Sequence, residues 1–454
     1  MKKFIPIIVL TVISAFLVFY RFIDIPKYLA YDEVEFAKLA LSLQNKPYTP
    51  YSSLATGHST LYFYIILTSL KTFGINTFAL RLPVAIFGIL SVLMFYLVIK
   101  GLKNYAVPAG RQELRIKNYN VLPFLLAIIF LTSRWFLNFS RFSFEATFLL
   151  FLELTSIYFL IKSELVKKAK IPNLFAPACR QAGFDVFRQK ISVSSFYILF
   201  SGIFAGLAFL SYTPGRIFFL LPLSFLVFQL VNLLTRKQFN NITIKQLFIF
   251  LIPFLIIITP LTSYLLTNKD TRIDQQFFLR NHEITVNEKV SGLWSNISST
   301  TLMLFTKGDM NGRHNYHGKP AQNPILGILF VIGLTISIKN WRNPINSFSI
   351  FYFLLSILPA LMTYPWENPN MLRTYTAIPS IVYFIGQTIY HLGTIVSRLS
   401  FNKKMFVSYF LFLVILFSCL YELRTYFKYQ STVFKQSFEI KLPLEKAIKV
   451  KLKP

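Results

Sequence analysis

The chain has 454 residues, 54% hydrophobic and only 14% charged, with 47 Lys and Arg against 18 Asp and Glu and a formal charge of +29. That leaves too little polar surface to cover a soluble core, so an ordinary soluble globule is excluded and much of the chain must be solvated by lipid. Cys179, in a basic loop, and Cys419, in an apolar run, are the only cysteines and exclude a disulfide framework.

The N-terminus, MKKFIPIIVLTVISAFLVFYRF, has the charged start and apolar stretch of a signal peptide but no small-residue cleavage site, and is read as a retained first span. DIPKYLAYDEVEFA follows and gathers Asp24, Asp32, Glu33 and Glu35. The pattern VEFAKLALSL predicts an amphipathic helix beginning near Asp32. Adjacent carboxylates on a helical start point about 100° apart, so one can face a pocket while the other anchors the loop. The plainer alternative is that both favour the helix macrodipole. LYFYIILTSL, 61–70, is too short to span and predicts an interfacial or re-entrant helix.

Apolar runs of spanning length recur along the chain. They give eleven candidate spans, 4–20, 79–100, 121–138, 144–162, 194–212, 216–235, 247–266, 323–338, 347–364, 375–392 and 405–424, and an all-α polytopic membrane protein. If Lys2 and Lys3 are cytoplasmic, so are the connections after spans 2, 4, 6, 8 and 10. Each is basic: Arg111, Arg115 and Lys117; Lys167, Lys168 and Lys170; Arg236 and Lys237; Lys339 and Arg342; Lys403 and Lys404. The positive charge therefore has a topological origin and implies no nucleic-acid partner. The other side receives 21–78, a turn near 139–143, the turn 213–216, loops 267–322 and 365–374, and the basic tail 425–454. An even span count, with the tail inside, is the alternative. Most of the acids fall on this outer side, where chemistry is expected. The inverted repeat of many secondary transporters is not visible.

Four outer features carry residues suited to chemistry. Glu145 stands four residues after Arg141, a spacing that fits either an ion pair at the membrane surface or a site carboxylate. Glu153 lies two turns deeper, where an acid needs a cavity or a partner; a buried arginine serves as well as a substrate. KGDMNGRHNYHG, 307–318, brings together Asp309, Arg313, His314 and His317; a divalent metal is possible, although such a loop more naturally cradles sugar or phosphate oxygens. YPWENPNMLRTYTAIP carries Glu367 and Arg373 at the membrane surface, where a guanidinium suits a lipid phosphate or simply snorkels.

In order, DE in the first outer loop, GHSTLYFYIILTSLKTFGINTFALRLPVAIFGIL, SRFSFEA, SYTPGR, GDMNGRHN and ENPNMLRTYTAIP resemble the membrane-embedded GT-C glycosyltransferases. The set is most similar to bacterial members of glycosyltransferase family 39, relatives of the protein O-mannosyltransferases and the lipid A aminoarabinose transferase. The resemblance implies a GT-C catalytic domain over 1–424, a short tail at 425–454, and a multi-pass protein of the plasma membrane with its active site outside. It implies a polyprenyl-phosphate sugar as donor substrate, names no certain cofactor beside the possible divalent metal, leaves the acceptor class unknown, and implies transfer with inversion. By the same resemblance Asp32 is the general base with Glu33 beside it as catalytic neighbour. His58, Arg81, Arg141, Glu145, Asp309, Arg313, His314, Glu367 and Arg373 are the candidates for binding substrate, Arg81 either meeting the donor or supporting the loop and Arg373 facing the lipid phosphate. Asn370 departs from the pattern, standing where relatives commonly have histidine. A transporter or flippase using Glu145 and Glu153, and an inactive assembly subunit, are the competing classes.

Overall fold

The structure, a computed structural model, describes residues 4–106, 121–168, 180–235, 241–432 and 437–450. Arg111, Arg115, Lys117, Lys170, Cys179, Arg236 and Lys237 lie outside the described residues.

Helix α1, Ile5–Phe19, is followed by α2, Tyr31–Ser42, the two-residue strands β1, Tyr51–Ser52, and β2, His58–Ser59, and α3, Leu61–Phe73. β1 and β2 pair antiparallel, with Tyr51 opposite Ser59. Gly57 makes that hairpin possible: its φ is +97° and a Cβ would collide with the Tyr51 hydroxyl. Beyond α3 come α4, Thr77–Ala106; α5, Val121–Thr132; α6, Arg134–Phe139; α7, Glu145–Lys168; α8, Arg180–Phe209; α9, Leu220–Thr235; and α10, Asn241–Thr267. The remainder comprises α11, Thr271–Gln276; α12, Val286–Phe305; α13, Pro324–Lys339; α14, Pro344–Leu361; α15, Ile378–Ser397; α16, Phe401–Arg424; and α17, Leu444–Ala447.

Each of the eleven predicted spans coincides with helix. Six segments are long and apolar enough to cross a bilayer: 77–102, 145–163, 213–231, 244–267, 344–361 and 401–430. The chain is a multi-pass membrane protein. In α7 78% of the spanning window is buried, against 17% in α10, so α7 is a core helix and α10 turns most of its surface outward. The helix α7 packs between α4 and α8, and its core positions include Leu149, Leu152 and Ile157.

Two elements differ from expectation. The predicted span 121–138 is broken at Ser133, whose backbone is extended, because Arg134 is buried and bonded to Asn315 and to the Pro320 carbonyl 2.7 Å away. Those tertiary bonds outweigh helix continuity. The loop 267–322 also contains the 20-residue helix α12, capped by a Thr285–Glu288 box. Its apolar residues were too dispersed to read as a span, and Val286, Val290 and Trp294 remain exposed.

The tail folds back on the first loop. Leu29 and Ile440 exchange backbone hydrogen bonds of 3.2 and 3.1 Å, and Phe438 is buried edge-on to Phe142. The segments 437–450 and 24–42 therefore occupy the same end of the helices.

Candidate active site

At that end a cavity of about 480 Å³ is lined by residues from separated segments of the chain: Tyr31, Asp32 and Glu35; Thr56 and His58; Tyr212; Arg272 and Gln276; 309–311, 313 and 314; and 366–370, 372 and 373. These are the segments that charge and span parity place together on one side. A second, mainly apolar groove of about 190 Å³ adjoins it between the 212–217 turn, α11 and the end of α14, and shares Tyr212, Arg272, Gln276 and Arg373 with it.

Asp32 and Glu33 divide as their helical spacing requires. Asp32, in the first turn of α2, faces the cavity and pairs with Arg313. Glu33 points the other way and is fully buried: its carboxylate accepts from Arg81 Nε at 2.7 Å and Nη2 at 2.8 Å, from Ser143 N–H at 3.1 Å and from Ala30 N–H at 3.1 Å. The expectation that Glu33 is a catalytic neighbour in the pocket is thus corrected: all its bonds go to the scaffold. Arg81 also donates to the Pro26 and Tyr28 carbonyls at 2.6 and 2.8 Å and supports the loop from behind, away from the cavity.

Arg141 and Glu145 do not form the i, i+4 pair. Arg141 is buried and donates to the carbonyls of Leu17, Val18, Tyr20, Arg21 and Ile25, collecting the orphan acceptors at the end of α1. Glu145 stands behind the cavity wall, its Oε1 2.6 Å from His58 Nδ1 and 3.5 Å from Arg272 Nη1. Of these residues His58 and Arg272 reach the lining. Glu153 finds a tyrosine partner rather than an arginine: Tyr352 Oη of α14 donates to it at 2.6 Å.

The loop after α12 contributes Asp309, Arg313 and His314. Asp309 is 3% exposed; one carboxylate oxygen accepts Asn311 N–H at 2.8 Å and the other accepts Met371 N–H at 2.8 Å and meets His314 Nδ1 at 2.9 Å. His317 is exposed and does not join them. Among the described residues no three His, Cys, Asp or Glu side chains converge, so the possible metal finds no ligand set there. Glu367 and Arg373 pair at the cavity edge, and Arg373 Nη1 donates to Thr363 Oγ1 at 3.0 Å. Asn370 caps this turn, accepting Leu372 N–H at 3.1 Å and Arg373 N–H at 3.0 Å.

Arg272 and Tyr212 were not singled out from the sequence. The Arg272 guanidinium lies 5.2 Å from the Tyr212 ring centre, and both line the cavity and the groove. The available signal was an arginine just beyond α10 on the side where the positive-inside rule places few. Asp270 positions it, capping α11 through the Arg272 and Ile273 N–H groups at 3.1 Å while bonding Arg216 and, at 3.0 Å, Tyr51 Oη. Burial raises the Asp270 carboxyl, but the Arg216 charge and these hydrogen bonds outweigh it and hold the group below its ordinary value. Its stabilising contribution is then present above the usual carboxylate range and lost as pH falls through the depressed folded-state value. Asp270→Asn is expected to flatten the acid side of a melting-temperature profile recorded against pH; an unchanged profile would remove Asp270 from that role.

No family model and no curated protein sequence matches the chain. Solved structures do. The archaeal oligosaccharyltransferase AglB from Archaeoglobus fulgidus, in complex with an inhibitory peptide and a dolichol-phosphate, superposes with a TM-score of 0.53 at 14% identity, over 96% of this chain and 56% of AglB. ArnT from Cupriavidus metallidurans bound to undecaprenyl phosphate superposes with a TM-score of 0.51 at 12% identity, over 97% of this chain and 77% of ArnT. The chain thus spans little more than half the length of AglB. What it shares with both is the GT-C fold.

Proposed function

We propose that the chain is a glycosyltransferase that moves a hexose or pentose from a polyprenyl-phosphate carrier to a protein, lipid or glycan acceptor, on the extracytoplasmic face of the cell membrane and with inversion. The observation that carries this reading is the junction of two unlike spaces: a cavity lined by charged side chains and an apolar groove, which share Arg272 and Arg373 in their walls. A polyprenyl-phosphate sugar has matching parts in the same order, a hydrocarbon tail for the groove, a phosphate for the two guanidinium groups and a sugar for the cavity. The two neighbours, bound to dolichol-phosphate and undecaprenyl phosphate, support a polyprenyl-phosphate donor. The basic connections at the opposite end of the helices support an outward-facing site.

The departing phosphate needs no proton, because arginine charge stabilises it. One group must accept the proton of the acceptor hydroxyl, and Asp32, which lines the cavity and is bonded only by Arg313, takes that role. A single displacement at the anomeric carbon inverts it. Arg313 keeps Asp32 in place, and Glu367 does the same for Arg373.

Membranes containing the protein, incubated with a panel of radiolabelled polyprenyl-phosphate hexoses and pentoses, are expected to release free polyprenyl phosphate. Arg272→Gln and Arg373→Gln should each weaken donor binding by about 10- to 100-fold, the worth of a hydrogen bond to a charged group. Movement of the lipid-linked sugar across the bilayer with no donor breakdown would replace this reading by a transporter.

A further inference from the structure

Trp366 is a large aromatic that folding leaves 76% exposed, and it lines the cavity but not the apolar groove. One face of its indole is already covered: the Tyr364 ring lies nearly parallel to it, tilted by 21°, with 4.3 Å between ring centres. The exposure is therefore carried by the opposite face and the ring edge. Tyr364 is itself anchored, since Asn281 Nδ2 donates to its Oη at 3.0 Å and the Phe278 ring packs against it. A Cβ on Gly292 of α12 would come within 3.2 Å of Pro365 Cγ, so the helix backbone lies close under the turn. Asn296 of the same helix donates to the Leu361 and Thr363 carbonyls at 2.9 and 2.7 Å. The indole is thus a fixed flat surface, which lowers the ordering cost of anything that stacks on it.

Two positions on, Asn368 lines the same cavity. Its Nδ2 donates to Asn296 Oδ1 and to the Ala360 carbonyl, both at 2.9 Å, which fixes the orientation of the amide. Its Oδ1 is buried and has no hydrogen-bond partner among the described residues. A buried acceptor left unpaired is costly, so a donor from whatever fills the cavity is expected there. Asn311 and Asn370 add further carboxamides to the wall. An aromatic face beside carboxamides is complementary to a pyranose ring, whose C–H groups rest on the π face while its hydroxyls bond the amides. A hydrocarbon acceptor would leave Asn368 Oδ1 unpaired.

We propose that Trp366 is the acceptor platform and that the acceptor is a glycan, its terminal ring stacked on the open indole face with a hydroxyl donating to Asn368 Oδ1. This rests on the glycosyl-transfer reading above and narrows its acceptor to one class. The donor sugar is tethered through the arginines of the wall shared with the groove, whereas Trp366 belongs to the cavity alone and stands exposed, one residue before the Glu367 that pairs with Arg373. The hydroxyl that gives its proton to Asp32 is then a sugar hydroxyl. Its oxygen bonds the anomeric carbon of the donor, the bond from that carbon to the phosphate oxygen breaks, and the electron pair leaves on polyprenyl phosphate.

The test supplies membranes containing the protein, which carry their own acceptors, with the same radiolabelled donor panel, and identifies the residue that receives the label by methylation analysis and by digestion with protease. In wild type the label should stand in glycosidic linkage to a second sugar. Trp366→Ala should lower transfer by about 10-fold, the worth of an aromatic stacking contact, with the donor KM unchanged. Trp366→Phe, which keeps an aromatic face, should recover most of that rate. Label joined to an amino-acid side chain or to a lipid hydroxyl, or released as free sugar, overturns the proposal while leaving glycosyl transfer from the donor intact. A Trp366→Ala protein with the wild-type rate also overturns it and leaves the indole an interfacial aromatic. So does a Trp366→Phe protein as slow as Trp366→Ala. A wild type that releases no polyprenyl phosphate from any donor overturns the glycosyl-transfer reading itself, and the proposal with it.

Discussion

Asp32→Asn is expected to cut polyprenyl phosphate release by about 10²- to 10³-fold, the usual cost of removing one charged group aimed at a reacting centre, while the protein remains folded. The fold should survive because the Asp32 side chain is 37% exposed and bonds only Arg313, which is itself 30% exposed in the cavity. The substitution keeps the size of the side chain and removes its charge. The hydroxyl it orients would then sit poorly for attack, and a small misplacement of reacting atoms is costly. Wild-type release from the Asp32→Asn protein would remove Asp32 from the mechanism.

The second large effect falls on folding. Arg81→Ala should destabilise the protein by about 3–5 kcal/mol, because it leaves the fully buried Glu33 carboxylate without its cation. It also strands the Pro26 and Tyr28 carbonyls, so the loop that delivers Asp32 loses its floor. Thermal unfolding in detergent measures this. Replacing both members, Arg81→Met with Glu33→Leu, should cost less than Arg81→Ala alone, because no unpaired charge remains. Equal stability of Arg81→Ala and wild type would mean that the pair does not hold the loop.

Much of this arrangement was legible in the sequence because a bilayer forbids most alternatives. Span length and lysine and arginine placement put 31–35, 212–216, 270–276, 309–314 and 366–373 on one side, and they meet in one cavity. The 100° step between Asp32 and Glu33 required that they serve different partners, and they do. What a linear pattern lacks is the partner's identity. Arg141 and Glu145 have the spacing of a helical ion pair, but Arg141 precedes the start of α7 and turns to the end of α1. Arg81 reads equally as a donor contact until Glu33 is seen against it. Ser133 sits in an unbroken apolar run, and only the bonds of Arg134 to Asn315 and Pro320, nearly two hundred positions on, interrupt the helix.

The return of the tail onto the first loop sets an order of assembly. Lys38, on the helix that carries Asp32, donates to the Val450 carbonyl, a bond between positions 412 residues apart. Translation delivers Asp32 to the membrane before the 437–450 segment that backs it, with the helices α3 to α16 made in between. The first loop must wait through nearly the whole synthesis with its Leu29 edge unpaired, and closes only when 437–450 emerges. The cavity that Asp32 lines is therefore completed on this side only once both ends of the chain have met.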